Sequence, residues 1–131
     1  MKSFSIKKSV KSGKDCPSEH YEQAFFVSWF RKTYETLIFS IPNGGVRDKV
    51  TAMKLKVEGT VSGVPDLFVP EWGLFIEMKR KEKSYLSKEQ KKIIKILEGY
   101  GYSAIVGYGM EDAKKKVEDF RNNPLVKEKM K

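Results

Sequence analysis

The chain has 131 residues, an apolar share of 40% and one cysteine, which fits a single globular domain and excludes an internal disulfide or a cysteine-rich zinc site. His20 is the only histidine, so triads and metal centres that need several histidines are excluded. The formal net charge of +9 is large for this length and indicates a polyanionic partner such as nucleic acid.

The first half of the chain is predicted to contain two helices and a strand. Residues 1–14 are rich in Lys and Ser, lack a sustained period and are expected to be flexible, while residues 15–121 form the folded domain. Pro17 and Ser18 open a helix that runs to about Tyr34. A strand at 36–41, a glycine-rich loop at 42–45 and a helix at 48–58, closed by Gly59, follow. The apolar stripe of the first helix is Phe26, Trp29, Phe30 and Thr33.

The second half is predicted to hold three strands and two helices. Two short strands are joined by a turn at 70–73, and Gly63 allows a tight approach of the chain just before them. A helix at 87–99 begins with a capping-box pattern and is followed by a strand at 102–108, a helix at 110–120 and a frayed polar tail at 122–131. This order predicts an α/β fold, a small mixed sheet flanked by helices. The core face of the helix at 87–99 is assigned to Ile93, Ile94 and Leu97.

Charged residues lie at the ends of the two hairpin strands. Asp66 begins the first strand, and Glu77 and Lys79 lie near the end of the second. Because side chains alternate along a strand, Glu77 and Lys79 share one face while Met78 points away, and antiparallel pairing brings Asp66 alongside them. Carboxylate oxygens are the ligands that hard divalent cations prefer.

A simple solvated ion pair would also explain these residues. The apolar runs that flank them favour a site, because like charges brought together in a partly buried setting need a cation.

A basic segment follows the second hairpin strand. Residues 79–95 contain eight Lys or Arg against two acids, and five further lysines precede Asp15. A solvated helix face and a flexible terminus would give the same counts. Next to a carboxylate cluster, however, this charge indicates a surface that gathers phosphates around a metal site.

With these motifs in order, the chain resembles the PD-(D/E)xK nucleases and, within them, the virus-type replication-repair nuclease (VRR-NUC) branch. The resemblance spans most of residues 19–108 and implies a restriction-endonuclease-like core. The residues that carry it are Glu19 and Gln23, Pro42-Asn43-Gly44-Gly45, Gly59, Gly63, Pro65-Asp66-Leu67, Glu77-Met78-Lys79, and Ser87 with Gln90.

The resemblance implies a role for each site residue. Asp66 and Glu77 would ligate Mg²⁺ or Mn²⁺ together with the backbone carbonyl of Met78, and Lys79 would orient the attacking water or stabilise the developing charge. Glu19 would approach the metal from the first helix, with Glu22 as the competing choice.

Further residues would support this centre. Gln23 and Gln90 would line the site, although the capping box alone accounts for Gln90. Asn43 and Gly44 of the glycine-rich loop would play supporting roles. Phosphate contacts are assigned to the basic residues Arg47, Lys49, Lys81, Lys83 and Lys88.

The resemblance implies a metal-dependent, structure-specific DNA endonuclease that resembles Holliday-junction resolvases and acts as a homodimer on branched DNA. We expect a phage or prophage source, a role in DNA repair and a cytoplasmic location, since residues 1–6 lack the apolar core of a secretory signal. We expect no membrane association and no organic cofactor. The alternatives are nicking or flap cutting on the same site, or a basic DNA-binding module without catalysis.

Overall fold

The computed structural model describes residues 17–42 and 48–129, with side chains described as far as residue 126. The predicted flexible segment 1–14, Cys16, and the loop residues Asn43, Gly44 and Arg47 lie outside the described residues. The elements are α1 (Glu19–Thr33), β1 (Phe39–Ser40), α2 (Lys49–Val57), β2 (Leu67–Val69), a 3-10 turn (Pro70–Trp72), β3 (Leu74–Lys79), α3 (Lys88–Gly99), β4 (Ser103–Tyr108), α4 (Met110–Asn122) and α5 (Pro124–Lys129).

The described strands form a single mixed sheet in the order β1-β2-β3-β4. The first two pairings are antiparallel, with Leu67 opposite Ile76, while β4 runs parallel to β3 after the crossover through α3. Gly73, in the left-handed conformation, ends the turn between β2 and β3. The predicted α/β fold is confirmed.

One face of the sheet carries the hydrophobic core. Along β3 the alternate residues Leu74, Ile76 and Met78 are fully buried against α1 and α4. Thr33 differs from its predicted place in the core, because it is exposed at the end of α1 and its hydroxyl donates back to the Trp29 carbonyl. The fully buried residues that α1 and α4 add to this core are Phe26, Phe30, Ala113 and Val117.

The opposite face carries the intervening residues of β3, namely Phe75, Glu77 and Lys79. Phe75 stacks on Phe68 of β2 with ring centroids 4.3 Å apart, so one end of this face is aromatic. α3 covers the β4 side of this face, and its predicted core residues Ile93, Ile94 and Leu97 are half-buried. They are half-buried because α3 contacts the sheet mainly at β4, which leaves part of each side chain open to solvent.

Two boundaries differ from the sequence expectation. The strand predicted at 36–41 is reduced to Phe39–Ser40 at the edge of the sheet. The polar tail, expected to fray, contains α5, which begins after Asn123 with Pro124 in its first turn. The Asn123 side chain accepts a hydrogen bond from the Leu125 N–H, so an Asn-Pro start signal accounts for this helix. Within the described ranges, none of the helices is both long and apolar enough to span a bilayer.

Candidate active site

The acidic residues of the hairpin meet where β2 begins and β3 ends. Leu67 pairs with Ile76, so the next position in the register places Asp66 beside Glu77. The Asp66 carboxylate accepts a 2.9 Å hydrogen bond from the backbone N–H of Met78. Asp66 thus extends the sheet ladder with its side chain, and this bond holds the carboxylate against β3. The convergence inferred from strand alternation is present in the structure.

Glu77 is the most enclosed acid of this group, with a relative exposure of 2%. Its Oε2 accepts a 2.8 Å hydrogen bond from the side-chain amide of Gln90 and lies 3.8 Å from the ammonium nitrogen of Lys79. Its Oε1 is buried and has no hydrogen-bond partner in the described part of the chain. A buried carboxylate oxygen without a donor is costly, so this atom is suited to a cation.

Burial and mutual repulsion shift the pKa values of both acids. Burial raises the pKa of Glu77 to about 8, Asp66 adds to the increase, and Lys79 opposes it. Burial also raises the pKa of Asp66, against the opposing effect of the Met78 N–H and of Lys79. The two carboxyl groups therefore resist being ionised at the same time, and a bound divalent cation would stabilise their doubly ionised state.

Gln90 links the first turn of α3 to the acids. Its Oε1 accepts a 2.8 Å hydrogen bond from the N–H of Ser87, whose hydroxyl in turn accepts from the Gln90 N–H, so the predicted capping box is confirmed. The same side chain contacts Glu77 through Nε2. The capping role and the site role are therefore compatible.

A glycine allows α3 to approach this closely. Gly63 has a φ of +94°, and a Cβ placed there would lie 2.6 Å from the Glu89 carbonyl oxygen. The predicted tight approach at Gly63 is confirmed: it lets the chain before Asp66 contact the first turn of α3.

The two candidate acids of α1 occupy different environments. Glu22 is buried and its Oε1 accepts a 2.7 Å hydrogen bond from the Met110 N–H, so it caps the start of α4. Glu19 lies in the first turn of α1 and is exposed. Partial loss of hydration raises the pKa of Glu19, while Lys79, Asp66 and Arg80 all act on its charge. Glu19 is therefore the α1 acid whose charge interacts with Asp66 and Lys79, whereas the carboxylate of Glu22 is engaged by the start of α4.

The remaining predicted residues lie around this centre with fewer contacts. Gln23 is half-buried one helical turn after Glu19. Met78 itself points into the core, and its backbone lies between Glu77 and Lys79. The described basic candidates, all exposed, are Lys49 on the first turn of α2, Lys81 and Lys83 after β3, and Lys88 at the start of α3. Arg80, which the motifs did not single out, is a further cation that acts on Glu19.

The donor set fits a hard divalent cation with few protein ligands. Among the described residues, no three Asp, Glu, His or Cys side chains converge closely enough to enclose an ion. Two carboxylates, Asp66 and Glu77, do converge. Mg²⁺ is typically held by one or two carboxylates, with water and substrate phosphate completing the shell. The ligand role of Glu19 stays a prediction.

Comparison with known proteins agrees with this geometry. The family model described as the VRR-NUC domain matches residues 11–111. A solved structure described as a VRR_NUC domain protein superposes with a TM-score of 0.68 at 24% identity, covering 82% of this chain and 90% of that one. No curated protein matches the chain. The chain belongs to the VRR-NUC family, a family of nucleases.

Proposed function

We propose that the protein is a metal-dependent, structure-specific DNA endonuclease that hydrolyses phosphodiester bonds at Asp66 and Glu77. The observation that supports this most directly is the buried Oε1 of Glu77, which lies beside the Asp66 carboxylate and has no hydrogen-bond partner among the described residues. Metal ligation would satisfy both groups. A Mg²⁺ or Mn²⁺ ion held there would neutralise the scissile phosphate and lower the pKa of a bound water.

The residues of the chain hold and polarise the reacting groups. The Gln90 amide and the Lys79 ammonium both face Glu77 Oε2, which leaves Oε1 for the cation. Lys79 is largely buried, so its charge acts over a short, poorly screened distance on the attacking water or on the developing phosphate charge. Glu19 on α1 interacts electrostatically with Lys79, Asp66 and Arg80 and would add negative charge to the metal site.

The substrate in this proposal is branched DNA, with a Holliday junction as the leading candidate and a homodimer as the active species. A two-fold dimer would place two centres on a two-fold symmetric junction. Lys49, Lys81, Lys83 and Lys88 would contact phosphates, which position DNA without reading its sequence. Such an enzyme would act in the cytoplasm of a bacterial host, encoded by the host or by a phage.

The test is a cleavage assay on four-way junctions, flaps, nicked duplex and plain duplex, with Mg²⁺, Mn²⁺ or EDTA. Asp66→Asn and Glu77→Gln should abolish cleavage and leave DNA binding intact, while Glu71→Gln, an exposed acid in the turn between β2 and β3, should cut like the wild type. Paired symmetric nicks on the junction support resolution, whereas cutting confined to flaps or nicks supports the alternative activities. Binding without cleavage under every condition would leave only a DNA-binding module.

A further inference from the structure

The loop between β3 and α3 presents an exposed aromatic ring next to the site. Tyr85 is 80% exposed and makes no ring contact with another described residue. The loop leaves β3 directly after Lys79 and enters α3 at Ser87. Single exposed aromatic residues are common on protein surfaces, so exposure alone does not indicate a binding role for Tyr85. The residues around it must supply that evidence.

The hydrogen bonds of the capping box limit how far Tyr85 can be from Glu77. The N–H of Ser87 is bonded to Gln90 Oε1, and the same amide is bonded to Glu77, each at 2.8 Å. Tyr85 lies two residues before Ser87 and is therefore within about 7 Å of it even along an extended chain. The path from Ser87 through the Gln90 amide to Glu77 adds about 8 Å, so Tyr85 lies within about 15 Å of the Glu77 carboxylate. That length is about four base steps along one DNA strand. A nucleotide close to the scissile phosphate would therefore be within reach of the Tyr85 ring.

The loop is also the most basic part of the described surface near the acids. Lys81, Lys83 and Lys88 are exposed, and none of them forms an ion pair within the described ranges. Lys83 also has a φ of 54°, a left-handed conformation that few residues other than glycine adopt. Because these three lysines are exposed and lie outside the ion pairs of the described residues, their charges are available to an external polyanion.

Other exposed apolar residues lack this combination. Tyr100, at the opposite end of α3, is 74% exposed but lies between two glycines, and α3 separates it from the site by about 18 Å. Val50, Met53 and Val57 form an exposed stripe on α2, and no contact of that helix points to an occupant. Among the exposed apolar residues that the structure describes, Tyr85 alone combines an open ring, neighbouring lysines outside any ion pair and a position two residues from Ser87, which is connected to Glu77 through Gln90.

We propose that Tyr85 stacks on an unpaired nucleobase of the DNA, while Lys81, Lys83 and Lys88 contact the adjoining phosphates. Aromatic stacking on bases and lysine contacts to the backbone are the usual components of single-strand recognition. The ring face of a paired base is covered by the neighbouring base pairs of the duplex. Stacking by Tyr85 would therefore favour DNA that is unpaired near the cleavage site. The inference rests on the proposed action on DNA and names what that site recognises.

The test measures DNA binding in an Asp66→Asn background, so that cleavage plays no part. Tyr85→Leu and Tyr85→Phe are compared by fluorescence anisotropy on a single strand, a duplex with unpaired bases and a fully paired duplex of the same sequence. Tyr85→Leu should weaken binding to the first two by roughly 5- to 150-fold, the range for the loss of one stacked base, and Tyr85→Phe should retain it. The fluorescence of a 2-aminopurine placed at the unpaired position should be quenched by the parent protein and not by Tyr85→Leu.

Tyr100→Leu is the matched control and should bind every DNA like the parent protein. The proposal is overturned if Tyr85→Leu binds open DNA like the parent, or if it loses the same factor on paired duplex. The proposed nuclease function fails separately, if the wild type binds open DNA through Tyr85 but never cuts it. Absence of any DNA binding would overturn both.

Discussion

The side-chain amide of Gln90 bonds the backbone of Ser87 through its oxygen and the carboxylate of Glu77 through its nitrogen, each at 2.8 Å. Since the Ser87 N–H can only donate, it fixes which end of the amide faces Glu77. The start of α3 therefore sets the orientation of the buried acid. The helix cap and the site share one side chain.

Two substitutions should separate the cap from the site. Ser87→Ala removes the hydroxyl acceptor and should cost about 1 kcal/mol of stability, while most cleavage activity is retained because Gln90 still reaches Glu77. Gln90→Leu should cost a similar amount but lower kcat by roughly tenfold or more, since Glu77 Oε2 loses the hydrogen bond from the Gln90 amide. Urea unfolding and single-turnover cleavage measure the two effects. Equal losses of activity would contradict a role for Gln90 beyond capping.

Glu19 and Glu22 should respond in opposite ways. Glu22→Ala removes the acceptor of the Met110 N–H and should destabilise the fold by about 1–3 kcal/mol, whereas Glu22→Gln, which keeps an acceptor oxygen, should cost less. Glu19→Gln should leave stability nearly unchanged and reduce metal-dependent cleavage. Thermal unfolding and the Mg²⁺ dependence of the cleavage rate check these outcomes. A larger cleavage defect in Glu22→Gln than in Glu19→Gln would reverse the assignment.

Gly63 and Gly59 offer a matched pair for the packing of α3. Both have positive φ, but a Cβ at Gly59 would meet nothing within 4 Å, whereas one at Gly63 would lie 2.6 Å from the backbone of Glu89. Gly59→Ala should therefore show backbone strain alone, on the order of 1–3 kcal/mol. Gly63→Ala should cost more and also reduce cleavage, because the first turn of α3 carries Gln90. Similar unfolding curves and similar rates for the two variants would contradict this account.

The metal-free protein should lose stability as the pH rises. Burial raises the pKa of Glu77 from 4.5 to about 8, so the native state holds a proton that the unfolded chain releases. The unfolded state then binds fewer protons between these pH values, and the free energy of unfolding falls across that window, with the full penalty present above it. Urea unfolding in EDTA from pH 5 to 8 measures the slope.

Two controls accompany the pH series. Glu77→Gln cannot ionise at this position and should flatten the slope. Added Mg²⁺ should stabilise the wild type most at the alkaline end, because ligation requires the deprotonated acids. A wild-type curve in EDTA that is as flat as that of Glu77→Gln would contradict the burial of an ionisable Glu77.

The hydrophobic periodicity and the capping and turn motifs of the sequence predicted most helices and strands, because these patterns arise from residues close together in the chain. The Ser87–Gln90 pattern predicted the start of α3, and the alternation along β3 placed Glu77 and Lys79 on one face with Met78 opposite. The length of β1 and the presence of helix α5 differ from the sequence prediction. The apolar run at 36–41 predicts a strand longer than its pairing with β2 supports. The Asn-Pro start of α5 lies in a polar tail with little apolar periodicity to indicate a helix.

The choice between Glu19 and Glu22 required the tertiary structure. Both lie in the first turn of α1, and their spacing to the apolar stripe is similar. The partner of Glu22, the Met110 N–H, is 88 residues away in sequence, so no local pattern reveals it. Likewise, the capping box predicted one role for Gln90, and only the packing of α3 on the sheet revealed its bond to Glu77.

The sequence by itself determined most of the element types and the hairpin that brings Asp66, Glu77 and Lys79 together, because strand alternation and a short turn act over a few neighbouring residues. Its motifs also resembled the family that the family model shows. Only the tertiary structure decided which oxygen of Glu77 is left without a donor, which α1 acid lies near it and how the start of α3 holds it. Burial and long-range hydrogen bonds depend on how elements that are distant in sequence pack together, and local periodicity does not predict that packing.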